Sequence, residues 1–180
     1  RYDSNHLYLG CRFNQHRQEM ASPEIFAVAG KYMDVISINH YRLWEPNAAW
    51  MADWEKWSGK PFIITEFYTK GEDSGLPNNT GAGWNVRTQA DRGWFYQNFV
   101  TELLRSGNCV GWHWFTYMDN DPQNLKTDPS NRDSNKGVVA WNFEPYTVLL
   151  DEMKQLNDCT FRLIRHLDAE KAEENRKTTK

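Results

Sequence analysis

What this sequence has little of narrows its class first. No apolar run in the 180 residues approaches the length that crosses a bilayer, and no signal peptide opens the chain. An excess of charge of one sign is missing too. The 21 basic and 24 acidic residues leave a net charge of -3, and the basic ones are scattered, so neither nucleic acid nor a membrane is an expected partner. Cysteine is scarce: Cys11, Cys109 and Cys159 make an odd count without CxxC spacing, which reads as buried free thiols and leaves the redox compartment open. A GxSxG elbow is absent, which sets aside an α/β hydrolase or other acyl-transfer enzyme. Aromatics, by contrast, are abundant. Nine Trp, eight Tyr and nine Phe occur, several beside Asn, Asp, Gly or His, a mixture suited to a wet cleft that stacks flat, hydroxylated rings.

Strand and helix signals alternate along the chain. Residues 6–13 read as a strand with Arg12 and Asn14 at its C-terminal end. Ser22, Pro23 and Glu24 start a helix whose apolar stripe is Ile25, Val28, Ala29 and Tyr32. Residues 34–39 form a second strand, followed by Asn39, His40, Tyr41 and Arg42 as a polar and aromatic cluster. Asn47 caps a helix in which Trp50, Trp54 and Trp57 recur at helical spacing as core residues, and Gly59 with Pro61 ends it. The third strand lies in KPFIITEFY, residues 60–68. Phe62, Ile63 and Ile64 are apolar without alternation, as in a parallel strand covered on both faces, and Glu66 follows.

A long Gly, Asn and Asp segment, residues 69–85, precedes a helix over about 88–106 and a fourth strand at 109–115. A second polar loop, 117–136, leads to a short extended piece at 137–143. The last helix starts at Pro145 with Tyr146, Leu149, Leu150, Met153 and Leu156 as its buried stripe, and residues 168–180 form a charged tail expected to be disordered.

Four strand–helix units in series call for parallel strands joined by right-handed crossovers. An open doubly wound sheet usually carries a glycine-rich phosphate turn after its first strand, and CRFNQHRQEM is not one. Every strand ends instead in large polar or aromatic residues, as on the top rim of a (β/α)8 barrel, of which four units are half. Glu66 stands just past the buried part of its strand, where a carboxylate is costly unless hydrogen-bonded or chemically used. An ion-paired strand end and a reacting group are both open readings on the strand alone.

With INHY, ITEFY and GWHWF on successive strands, the chain resembles the second half of a clan A glycoside hydrolase barrel. HLYLGCRF, ISINHYR, ITEFYTKGEDSGL, GAGWNVRTQADRGWFYQNF, GWHWFTYMDNDP and SNKG are similar to stretches of the β-agarase family, so the resemblance covers about residues 5–167. It implies an α/β fold, namely strands five to eight of a TIM barrel with two long rim loops, and makes residues 1–167 a partial catalytic domain. It also implies a retaining mechanism on a β-linked galactan such as agarose, with Glu66 as nucleophile and Tyr41 orienting it. The acid/base Glu of such enzymes would lie outside this chain, so the 180 residues alone are expected to be inactive. No cofactor and no metal are expected. The full-length protein is expected to be secreted or periplasmic, with its leader outside this chain.

Supporting residues come from the remaining rim positions. Trp112 and Trp114 share strand parity and are candidates to stack a sugar ring. His40, His113, Asn39, Arg12 and Asn14 are candidate substrate contacts, and Trp84 a candidate outer subsite. The second loop is rich in Asp119, Asp121, Asp128 and Asp133 with interleaved Asn, but Asn131, Asp133, Asn135 and Gly137 miss an EF-hand by one residue, so a turn-rich loop shaping the cleft is expected over a cation site. The alternative to an enzyme is a non-catalytic carbohydrate-binding half-barrel or assembly module. Either form of half-barrel leaves open strand edges, so self-association is expected.

Overall fold

The computed structural model describes residues 3, 5–14, 22–124 and 126–178. In chain order the elements are β1 (Arg12–Asn14), α1 (Pro23–Tyr32), β2 (Ile36–Asn39), α2 (Ala48–Ser58), β3 (Phe62–Phe67), β4 (Thr69–Gly71), β5 (Trp84–Val86), α3 (Gln89–Ser106), β6 (Cys109–Trp114) and α4 (Thr147–Thr178). The main sheet is parallel with the order β1-β2-β3-β6, so its neighbours in space follow one another in chain order, with β4 and β5 set apart as a separate pair. A doubly wound sheet reverses its order at a switch point; among the described residues this one does not. The short strands β4 and β5 pair in parallel and tie down the segment after β3.

Local chemistry explains the helix ends. Ser22 accepts from the Ile25 amide with proline following, Asn47 accepts from Trp50, and Thr88 with Asp91 forms a reciprocal capping box. Gly59 and Gly107 stand at left-handed positions, φ 64° and 79°, where α2 and α3 stop, as glycine alone does without strain.

One core joins the sheet to its helices. Phe13, Ile36, Ile38, Phe62, Ile64 and Phe67 pack against Phe26 and Ala29, Met51 and Trp54, Phe95, Phe99 and Leu103, and Leu149, Met153 and Leu156. In β1, β2 and the first half of β3 the core therefore takes alternate residues and leaves the others for the opposite face of the sheet.

Several expectations are corrected. The first strand shrinks to three residues, because Gly10 adopts φ 63° and Tyr8 and Leu9 bond to Asp34 and Ser37 irregularly instead of in a ladder. Helix α1 is rotated: Phe26 and Ala29 are buried, while Ile25, Val28 and Tyr32 are exposed. The cause is Gly30, where a Cβ would lie 1.9 Å from the Ser58 carbonyl oxygen, so α1 presents its glycine face to α2. Trp54 is buried and Trp57 packs against the core, but Trp50 is exposed. Ile63 is half-buried, since β3 is covered by helices on one face only. Cys11 is exposed, and Cys109 and Cys159 are half-buried.

The charged tail is helical where described. Helix α4 runs on to Thr178, because extending a formed helix costs little and Ala, Glu, Lys and Arg favour it, helped by ion pairs such as His166–Glu170 and Lys177–Glu173. Residues 179 and 180 lie outside the described residues. Among the described residues no helix is long and apolar enough to cross a membrane.

Candidate active site

The site is set by an extra residue in β3. Ile38 and Asn39 of β2 are adjacent, yet they pair with Ile64 and Glu66; on the other side Trp112 and Trp114 pair with Ile64 and Phe67. Both neighbours thus place one inserted residue between Ile64 and Phe67, a β-bulge. In a regular strand Glu66 would share the core face of Ile64. The bulge hands that core position to Phe67, fully buried against Phe99, and turns Glu66 to the opposite face.

There Glu66 lines a cavity of about 430 Å³ together with Asn14, Asn39, Tyr41, Phe115 and Asp128; Arg42, Ala82, Ser130 and Asn131 complete the wall. The Glu66 side chain is 16% exposed. Arg12 Nη1 donates to Oε1 at 2.6 Å, and the Tyr41 hydroxyl donates to Oε2. Burial first, and then the hydrogen bond to Glu66, push the Tyr41 hydroxyl far above its ordinary value of 10.0, so it remains a donor at any working pH. Asn39 accepts from Thr65 at 2.7 Å, which fixes its side chain at the bulge. Arg42 and Asp128 of the cavity wall hold positive backbone angles, φ 60° and 43°, unusual for side-chain-bearing residues.

Alternation sorts the other candidates. Asn39 and Tyr41 face the cavity, so His40 between them points into the core, buried with its ring 5.0 Å from Phe99. Trp112 and Trp114 also take the core face. The Trp112 indole donates to Tyr96, and Trp114 packs among Phe67, Phe95 and Arg92 while donating to the Lys136 carbonyl. Neither lines the cavity that holds Glu66; Phe115, one residue on, supplies its aromatic wall. His113 and Trp84 are exposed and outside the cavity wall. Arg12 and Asn14 flank Phe13 and face the site.

Asp119 and Asp133 of the acidic loop spend their carboxylates on protein donors. Asp119 is buried and accepts from the Lys136 and Gly137 amides, the Asn135 amide group and the Tyr146 hydroxyl. Asp133 accepts from the Asn79 and Thr80 amides and the Thr80 hydroxyl. Among the described residues no group of three or more His, Cys, Asp or Glu side chains could hold a metal ion.

Both long loops are fastened to α3 by Arg92, which is fully buried. Its guanidinium donates to the Thr69 carbonyl at 2.9 Å, the Gln89 side chain at 2.7 Å and the Gly137 carbonyl at 2.9 Å, between the rings of Trp114 and Tyr146. Burial pulls its pKa down to about 10, still charged at neutral pH. Asn135 ties the loops together by accepting from the Gly71 amide and from Gln89. Phe115, Ser130 and Asn131 were not singled out as site residues in the sequence, and Asp128 only as part of the loop expected to shape the cleft. Strand parity could have found Phe115; the Asp- and Asn-rich composition marks the loop but not which of its residues reach the cavity.

No protein-family model matches the chain. It is 34% identical over 161 residues to β-agarase B of Vibrio sp. (strain JT0107), which covers 88% of this chain and 16% of the relative. Of solved structures, BpGH50 superposes with a TM-score of 0.80 at 43% identity, over 90% of this chain and 33% of that one. An exo-β-agarase superposes with a TM-score of 0.74 at 31% identity, over 89% of this chain and 20% of the other. The chain thus spans about a sixth of the curated relative's length.

Proposed function

Starting from a chain whose homologues are β-agarases, we propose that it forms the nucleophile-bearing wall of a retaining glycoside hydrolase acting on an agarose-like polysaccharide. The carrying observation is Glu66 itself, a mostly buried carboxylate turned into a cavity by a bulge and held by Arg12 and Tyr41, one donor on each oxygen. One donor on each oxygen fixes the direction of the carboxylate, which is what a nucleophile needs. A Glu66 oxygen forms an ester bond to the anomeric carbon as the glycosidic C–O bond breaks, and an acid protonates the departing oxygen. Water then cleaves the ester and frees Glu66. Asn14, Asn39 and Phe115 offer hydrogen bonds and an apolar face to the sugar.

We assign the second carboxyl group to the part of the relatives' length that this chain does not span. Of the carboxylates lining the cavity besides Glu66 there is Asp128, and Lys136 binds it as an anion. We read the sequential parallel sheet as strands five to eight of a barrel, and residues up to 167 as part of its catalytic domain. Glu66→Gln in the intact protein should lower turnover of agarose-derived oligosaccharides by several orders of magnitude with circular dichroism unchanged. Turnover within tenfold of the parent would refute the assignment. A binding-only role is the second reading, favoured by the Arg12 pair that occupies one oxygen of Glu66; it gains if the intact protein binds these oligosaccharides and releases no reducing ends.

A further inference from the structure

Asp128 lines the same cavity as Glu66 and has no part in the chemistry above. It caps the 3-10 turn Pro129–Asn131 from a left-handed backbone position, so the loop dictates where its carboxylate points. Three donors converge on it. Lys136 Nζ lies 2.5 Å from Oδ2, the Ser130 hydroxyl 2.8 Å from Oδ1 and the Asn131 amide nitrogen 3.3 Å from Oδ1. The Lys136 side chain is 3% exposed and sits 5.4 Å from the centre of the Phe115 ring, so its ammonium group depends on Asp128 for a counter-charge. Burial raises the Asp128 carboxyl, but the bonds from Lys136, Ser130 and Asn131 outweigh it and hold it below the ordinary range. It is therefore an anion, unable to act as the acid. An ionised carboxylate has about four acceptor positions. Among the described residues the three bonds leave one open on a side chain that is 31% exposed and lines the cavity wall beside Phe115.

We propose that Asp128 is a substrate-positioning residue that accepts a hydrogen bond from a hydroxyl of a sugar ring seated against Phe115, with Lys136 as the residue that aims it. The inference rests on the glycoside hydrolase reading, since it assumes a saccharide in this cavity. It concerns binding, however, and is separable from the identity of the nucleophile.

The test uses the intact protein and an agarose-derived hexasaccharide. Loss of one hydrogen bond to a charged group should raise KM about tenfold or more in Asp128→Asn, with a smaller fall in kcat, because the contact serves ground state and transition state alike. Asp128→Asn also strands the Lys136 charge, so its melting temperature should fall. The double variant Asp128→Asn/Lys136→Met removes that charge; it should recover the melting temperature while KM stays high. Recovery of KM together with melting would show that Asp128 serves only Lys136 and would overturn the proposal, as would an unchanged KM in Asp128→Asn. If Glu66→Gln proves fully active or the intact protein does not hydrolyse the hexasaccharide, the parent reading fails. The same variants are then compared by calorimetric Kd: a tenfold loss in the double variant sustains the proposal, and equal or undetectable binding to the unsubstituted protein overturns it.

Discussion

Arg92→Met tests whether the two long loops are held as one body. The substitution keeps a flexible apolar stem but removes three donors from acceptors that water does not reach: the Thr69 and Gly137 carbonyls and the Gln89 side chain. Each abandoned buried acceptor costs about 1–2 kcal/mol, which puts the loss at about 3–6 kcal/mol. For a melting unit of this size that corresponds to a fall in Tm of roughly 6–24 °C. Arg92→Lys keeps the charge but cannot reach three acceptors in different directions, so it should fall between. The loss should also be local. In hydrogen exchange, the amides of Gly71, Lys136 and Gly137, which bond Asn135 and Asp119 within this network, should lose protection before those of β2 and β3. A melting loss below about 1 kcal/mol, or uniform loss of protection, would refute the view that Arg92 fastens the rim loops.

Other consequences are as direct. Burial raises the Tyr68 hydroxyl to about 12 and raises Tyr41 and Tyr146 further, the last two also through Glu66 and Asp119. The folded state thus keeps protons that the unfolded chain releases from about pH 10, so this stability is complete below pH 10 and is lost as pH rises through 12. Urea midpoints at pH 9 and pH 11 should show the fall, and equal midpoints would contradict it. Gly30→Ala sets a methyl 1.9 Å from the Ser58 backbone oxygen and should cost about 1–3 kcal/mol or more in thermal melts. A neutral result would mean that α1 and α2 can slide apart. The isolated 180-residue chain should self-associate in sedimentation, since the edge of β6 carries exposed Val110 and, nearby on α4, exposed Phe161. A monomer with a cooperative melt would count against a half-barrel.

The sequence by itself determined the alternation of four strands with helices, the caps at Ser22, Asn47, Gly59 and Gly107, and the pairing of Tyr41 with Glu66 through the family resemblance. These are local or carried by long motifs, so neighbouring residues suffice to read them. The face taken by Trp112 and Trp114 was not legible, because it follows from the register of β6 on Ile64 and Phe67 of β3. Asp128 and Asn131 were not legible, because their place at the cavity depends on Lys136 and Tyr68, far from them in sequence or across the loop. Glu66 shows the division most clearly. Its identity and its strand are written in KPFIITEFY, but period-two alternation from Ile64 sends it into the core. Only the registers of β2 and β6, acting from both sides, force the extra residue into β3 that turns this carboxylate into the cavity, and a register is a property of three strands that no single one of them encodes.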